Sequence, residues 1–264
     1  MPVDNEIFNR LGHTWWDENE VLSLLRTSLG DVRFGYFQQV LIERYKKDPG
    51  KTKVLDVGCG GGLLAEEFAR LGCRVIGMDP SEPSLSTARR HAEQSNLRIS
   101  YQSGIGEQIP FADASFDVVI CCDVLEHVND FPRVVHEIAR VLVTGGIWFY
   151  DTINATFLSW LTVIKLAQEW KMTCLFPPNL HDWKHFIKPR QLESCMRQCY
   201  LANQEMKGIS PHGNPFVFFS RFLRYKRGEI TLAKVGLRFH ESRNLSVLYM
   251  GHAFKQRCFN QELA

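Results

Sequence analysis

The sequence predicts an α/β domain on a doubly wound, mostly parallel sheet. Three observations carry that reading. Short apolar runs alternate with helix-period segments from residue 53 to residue 152, joined by short connections. The first apolar run leads directly into a glycine-rich turn, Gly58-Cys59-Gly60-Gly61-Gly62, which opens a helix. Polar residues such as Asp56 and Asp79 interrupt the strand ends, and sheets of this kind bind ligands beyond the carboxyl ends of their strands.

Residues 1–50 read as an amphipathic helical cap with an aromatic cluster of Trp15, Trp16, Phe34, Tyr36 and Phe37. Asp48-Pro49-Gly50-Lys51 is a turn. Residues 51–155 form the core. Lys53–Val57 is a short buried strand, and Leu64, Phe68 and Leu71 place a helix over Leu63–Leu71 that stops at Gly72. Cys73–Asp79 is the second strand, Pro80–Gln94 the second helix, and Ile99–Gln102 the third strand. Phe116–Cys122 is a strongly apolar fourth strand. Phe131–Val143 predicts a helix closed by Gly145-Gly146, and Ile147–Thr152 a fifth strand. Over residues 156–256 the alternation weakens. Phe157–Met172 is helical and rich in Trp and Leu, Pro189–Cys199 is a further helix, and short aromatic strands with a Phe216–Phe222 patch complete the same domain as a lid and its remaining strands. Residues 257–264 read as a frayed tail.

Bulk properties exclude several classes. A chain of 264 residues, 45% apolar and 23% charged, has ordinary globular composition. A net charge of +2 gives no argument for nucleic acid as a partner. No run approaches the ~18 apolar residues of a membrane-spanning helix, and Met1–Arg10 carries Asp4 and Glu6 without the apolar core of a secretory signal. The eight cysteines include no paired CxxC, so they read as buried reduced thiols of a cytoplasmic protein.

The glycine turn lets a ligand approach the backbone where any Cβ would clash. By itself it suits a dinucleotide, another nucleoside or a plain tight turn. Asp79, at the end of the next strand, can accept two hydrogen bonds from a vicinal ribose diol. It can also cap the helix that starts at Pro80, and both roles can coexist. Taken as a set, Val54–Gly62, Asp79, Gly104–Phe111 and Phe116–Val128 resemble the class I methyltransferase family, with its Rossmann-like fold. The resemblance covers roughly residues 50–155. It implies S-adenosylmethionine as methyl donor, its amino-acid tail against the Gly58 loop and its ribose at Asp79. The donor is a sulfonium cation without phosphates, so Asp56 is tolerable in the first strand. Many relatives carry an acidic residue where Ile105 stands, and that adenine contact is missing here.

A narrower resemblance spans most of the chain. Trp15-Trp16-Asp17, Arg33–Tyr36, Asp123–Val128, Thr152–Thr156 with Ser159-Trp160, and His181–Pro189 resemble the ubiquinone-biosynthesis O-methyltransferase family. This implies methylation of a phenolic or catechol hydroxyl on a quinone precursor with a polyprenyl tail. The donor-binding positions are then Arg33, Asp56, Gly58, Gly60, Asp79 and Cys122. Asp123, Glu126 and His127 follow the fourth strand at i, i+3 and i+4, and on one helical turn they would share a face. Two chemistries fit them. His127, with Glu126, serves as general base; or the three hold a divalent cation such as Mg that acidifies the phenol. Relatives have Glu where Asp123 stands, and the shorter reach weakens the metal reading. His181 and Asp182 form a second candidate base pair. The Phe157–Phe176 segment is either a buried lid or a peripheral membrane contact. A secondary-metabolite methyltransferase with a different acceptor, and a donor-binding regulatory protein without catalysis, are the competing functions; oligomeric state is left open.

Overall fold

The computed structural model describes residues 4–257. The N-terminal cap holds α1 (Glu6–Leu11), a 3-10 turn at Val21–Ser23, and a long helix in which π-helical turns at Leu25–Gly30 and Gln39–Arg44 flank α2 (Asp31–Gln38). Next come β1 (Lys53–Val57), α3 (Leu63–Arg70), β2 (Arg74–Asp79), α4 (Glu82–Gln94), β3 (Ile99–Ser103), β4 (Phe116–Cys121), α5 (Phe131–Val141) and β5 (Leu142–Ile153). The short α6 (Phe157–Ser159) runs into a π-helical stretch, Trp160–Glu169. The order closes with α7 (Pro189–Gln198), β6 (Leu201–His212), α8 (Pro215–Lys226), β7 (Arg238–Ser242) and β8 (Leu248–Lys255).

All eight strands lie in one sheet, ordered β3-β2-β1-β4-β5-β8-β6-β7. The first five are parallel and the last three pair antiparallel. The chain winds outward from β1 to β3 and then returns to place β4 on the other side of β1. That reversal opens a crevice at the carboxyl ends of β1 and β4. Register fixes what faces it: Asp56 pairs with Gly77 on one side and Ile120 on the other, so Gly58, Asp79 and Cys122 emerge on the same edge.

Alternating side chains feed two cores. Val54, Val118 and Ile120 pack with Phe37, Leu41, Phe68 and Leu85 from the cap, α3 and α4. Leu55, Val119 and Cys121 pack with Val134 and Ile138 of α5 and Leu192 and Met196 of α7. Each fully buried aliphatic or aromatic side chain contributes roughly 1.5–3 kcal/mol. Side chains start the helices: Ser81 Oγ accepts from Ser84 N at 3.3 Å, and Asp130 Oδ1 from Arg133 N at 3.0 Å.

Three helix boundaries differ from the sequence expectation by two residues or more. The helix from Phe131 stops at Val141, and Leu142 already pairs with Phe116. Gly145-Gly146 therefore sits inside β5, where the register slips between Phe116 and Val118 and Gly145 takes φ +78°. The glycines serve a bulge, not a helix end. The helix after Asp79 starts at Glu82 because Ser81, not Asp79, is its cap. The helix from Phe157 ends at Glu169, closed by a wide turn in which Trp170 N donates to Lys165 O. Apart from Arg257, the expected tail lies outside the described residues.

Candidate active site

The carboxyl edge opens into a cavity of about 1110 Å³. Its floor is the turn after β1. Gly58 N and Cys59 N both donate to the Met78 carbonyl, at 2.7 and 3.0 Å, which folds the turn back onto β2. Gly58 and Gly60 hold left-handed conformations, φ +71° and +50°. Asp79 then ties the turn to the next helix: Oδ2 accepts from Gly60 N and Oδ1 from Ser81 N, each at 2.8 Å. Burial raises the Asp79 carboxyl, and these two N–H groups counter it. Below it, Asp56 is buried and pushed up to about 8 by burial, with a further push from the Asp79 charge.

Arg33 of α2 reaches the same cavity and is buried. Its Nη2 lies 2.5 Å from Asp123 Oδ2 and its Nε 2.5 Å from Asp151 Oδ2. Burial alone would lower the guanidinium; the two carboxylates outweigh it and hold it well above its ordinary value. Asp123 N donates to Asp151 Oδ1 at 2.8 Å. Asp151 is the functional residue the sequence reading missed. Its signal was one acidic residue in the apolar strand Ile147–Ile153. Cys122 lines the cavity beside this cluster, and burial pushes its thiol up, so it stands as a neutral apolar contact.

Trp15 and Trp16 fasten the cap to this turn. A Cβ on Gly60 would sit 2.6 Å from Trp15 Cη2, and one on Gly61 2.9 Å from Trp15 Cδ1. Trp15 Nε1 donates to Ser84 Oγ, Trp16 Nε1 donates to Gly61 O, and the Trp16 ring stacks on His91 at 3.4 Å.

A family model described as a methyltransferase domain matches residues 55–150. A ubiquinone biosynthesis O-methyltransferase of Hahella chejuensis is 39% identical over 216 residues, 79% of this chain and 87% of that protein. A Methylocella silvestris protein of the same name is 35% identical over 219 residues, covering 79% and 84%.

The chain belongs to the ubiquinone biosynthesis O-methyltransferase family.

It is an S-adenosylmethionine-dependent O-methyltransferase. Solved structures agree on the fold. A Pyrococcus horikoshii protein superposes with a TM-score of 0.61 at 18% identity, covering 95% of this chain and 99% of its own. A SAM-dependent methyltransferase from Thermotoga maritima gives 0.56 at 17% identity, covering 94% and 100%. One part of the cavity wall is polar. Its lining brings Asp56, Asp79 and Asp123 together with Arg33. Ile105 lines the cavity and is exposed, while Glu107, also in the cavity wall, accepts from Asn129 N at 3.1 Å.

His127 borders the same cavity. The expected helical turn over Asp123–His127 does not form: Asp123 has φ +53° and its side chain turns to Arg33. Glu126 points away from the cavity, where its Oε2 accepts from Thr152 Oγ1 at 2.7 Å and its Oε1 is buried without a partner. Burial, then the Asp123 charge, pushes Glu126 up to about 8. Asp123 and His127 line the cavity and Glu126 does not. The three do not converge, and no group of three His, Cys, Asp or Glu among the described residues could hold a metal ion. The expected Asp123–Glu126–His127 cation site therefore does not fit this arrangement.

His127 is held by ring edges: Phe8 at 5.3 Å and perpendicular, and His181 at 5.1 Å. Burial lowers its imidazole to about 4, against an upward pull from Asp123. The pairing of His181 with Asp182 does not occur, because Asp182 Oδ1 accepts from Lys184 N and caps a 3-10 turn. Beyond the imidazoles the cavity is apolar, walled by Leu166, Trp170, Phe176, Phe218, Phe222 and Phe239.

Proposed function

We propose that this methyltransferase acts on a phenolic or catechol hydroxyl of a quinone precursor bearing a long apolar, polyprenyl-type chain. One observation carries the reading: the cavity that Arg33, Asp56, Asp79, Asp123 and His127 line is also lined by a large aromatic and aliphatic set. A small polar acceptor would leave that apolar part of the cavity unfilled. The relatives, named as ubiquinone biosynthesis O-methyltransferases, support the quinone-type acceptor.

Bound at the polar end, S-adenosylmethionine supplies an electrophilic methyl group. In this reading Arg33 and Gly58 face its amino-acid end, Asp79 its ribose, and Asp56, Gly60 and Cys122 complete the wall. Alignment of the acceptor oxygen against the methyl group provides much of the acceleration. His127, neutral at physiological pH, accepts the phenolic proton. An imidazole held near 4 is a weak base. The O–H bond therefore breaks as the new O–C bond forms, not in a prior step. Glu126 sets the shape of the turn beneath His127 and takes no part in the transfer.

A peripheral membrane contact completes the proposal. Among the described residues no helix is long and apolar enough to cross a membrane. Phe157, Trp170, Met172, Phe216 and Phe219 are nonetheless exposed, and two of them, Trp170 and Phe219, also line the cavity. They place an apolar rim where a chain-bearing acceptor would arrive from a bilayer on the cytoplasmic side.

The test is methyl transfer from labelled donor to catechols with and without an isoprenoid chain, with donor binding followed by calorimetry. The chain-bearing catechol is expected to give the higher kcat/KM. Equal rates for short and long acceptors would refute the pocket assignment. Donor binding without transfer to any phenol would favour a regulatory protein instead. Co-sedimentation with lipid vesicles, weakened in a Phe157→Ser/Phe216→Ser variant, tests the rim.

A further inference from the structure

Two imidazoles, from elements far apart in sequence, meet in the acceptor end of the cavity. The His127 and His181 rings lie 5.1 Å apart at 41°, and both border the cavity. The Nδ1 atom of each is buried without a hydrogen-bond partner. Neither is there as the orienting half of an acid–base pair, since no carboxylate accepts from either ring nitrogen among the described residues. Packing holds them instead. Phe8 meets His127 edge-on, and Phe176 meets His181 edge-on at 5.5 Å. The backbone of His181 is clamped as well: its N donates to Gln168 Oε1 at 2.8 Å, and its carbonyl accepts from Gln168 Nε2 at 3.0 Å. Buried polar groups are nearly always satisfied, so two rigid unsatisfied imidazoles side by side point to a ligand that satisfies both.

We propose that His127 and His181 read two adjacent hydroxyls on one aromatic ring, with His181 the residue that selects a catechol over a monophenol. The inference rests on the phenolic acceptor proposed above. Each neutral imidazole offers one N–H and one lone pair. Vicinal ring oxygens sit closer together than the two imidazole centroids, so one oxygen can face each ring. His127 takes the hydroxyl that is methylated, and His181 fixes its neighbour. This also sets which of the two oxygens receives the methyl group.

Two acceptors with the same apolar chain test it, one with adjacent hydroxyls and one with a single hydroxyl. Wild-type enzyme is expected to favour the catechol in kcat/KM by roughly a hundredfold or more, as sites built around a substrate hydroxyl do. His181→Phe should cut the catechol value roughly tenfold to a hundredfold more than the monophenol value, so that the preference for the catechol falls by that factor. His181→Gln, whose amide both donates and accepts, should recover part of the loss. An equal fall for both acceptors in His181→Phe and His181→Gln would make the residue structural and overturn the proposal. So would a wild-type enzyme that methylates both acceptors equally, which leaves the phenolic reading intact. A wild type that binds donor and methylates neither phenol would overturn that reading, and this proposal with it.

Discussion

Replacing Gly58 by alanine probes the turn on which the donor end is built. Two costs follow from the structure. Gly58 has φ +71°, and a residue with a Cβ in the left-handed region costs roughly 1–2 kcal/mol. The new Cβ would also fall far inside contact distance of Val124 Cγ2 and 3.3 Å from Cγ1. Val124 is β-branched and stiff, so it cannot swing aside freely, and forcing a methyl into such a site costs roughly 1–3 kcal/mol. The sum is about 2–5 kcal/mol, or about 2–4 °C of melting temperature for each kcal/mol in a chain of this size. Val124→Ala in the same chain removes the clash and leaves the backbone term. The double variant should therefore recover about 1–3 kcal/mol relative to additivity. Urea unfolding followed by tryptophan fluorescence gives the four stabilities of the cycle, and calorimetry gives the four donor affinities. Donor affinity should fall in Gly58→Ala and recover in part in the double variant. A Gly58→Ala protein within 0.5 kcal/mol of wild type, or a strictly additive cycle, would refute the reasoning.

Three further outcomes are expected. Burial lowers His127 to about 4, so the ring is neutral, and competent to accept a proton, at every pH above that value; the acid limb of kcat/KM should fall well below the ordinary imidazole range, and a limb near pH 6.5 that vanishes in His127→Asn would contradict it. Glu126 is raised from 4.5 to about 8, so its contribution to stability is present below pH 4.5 and is lost as pH rises through 8; Glu126→Gln should gain thermal stability over wild type at pH 8.5 relative to pH 5.5, and a pH-independent difference would count against the burial argument. Activity should be unchanged by EDTA, because Asp123 and Glu126 are turned away from His127; loss on chelation with recovery on adding Mg would restore the cation reading.

Much of this was legible in the chain. The strand–helix alternation and the glycine turn gave the sheet order its centre, and Asp79 was readable because it ends the strand beside β1. What local pattern could not supply was direction. The spacing of Asp123, Glu126 and His127 implies one face only if the backbone is helical, and Asp123 at φ +53° breaks that premise. The ion cluster of Arg33, Asp123 and Asp151 joins three distant segments, and Asp151 looks unremarkable beside Trp148 and Tyr150 until the strand is paired. Likewise the glycines at 145 and 146 carry the same symbols as a helix stop, and only pairing with β4 makes them a bulge.

The two tryptophans on the glycine turn also bear on how the molecule assembles. Trp15 and Trp16 are fixed by Ser84, Gly61 and His91, and Asn5 Nδ2 donates to the His127 carbonyl. Every one of those partners lies in the core, far along the chain, so closing these loops carries an entropic cost that local contacts cannot offset early. The strap over the donor end is therefore expected to dock late, after strands β1 to β4 have found their neighbours. Refolding followed through donor binding would then lag behind refolding followed through secondary structure.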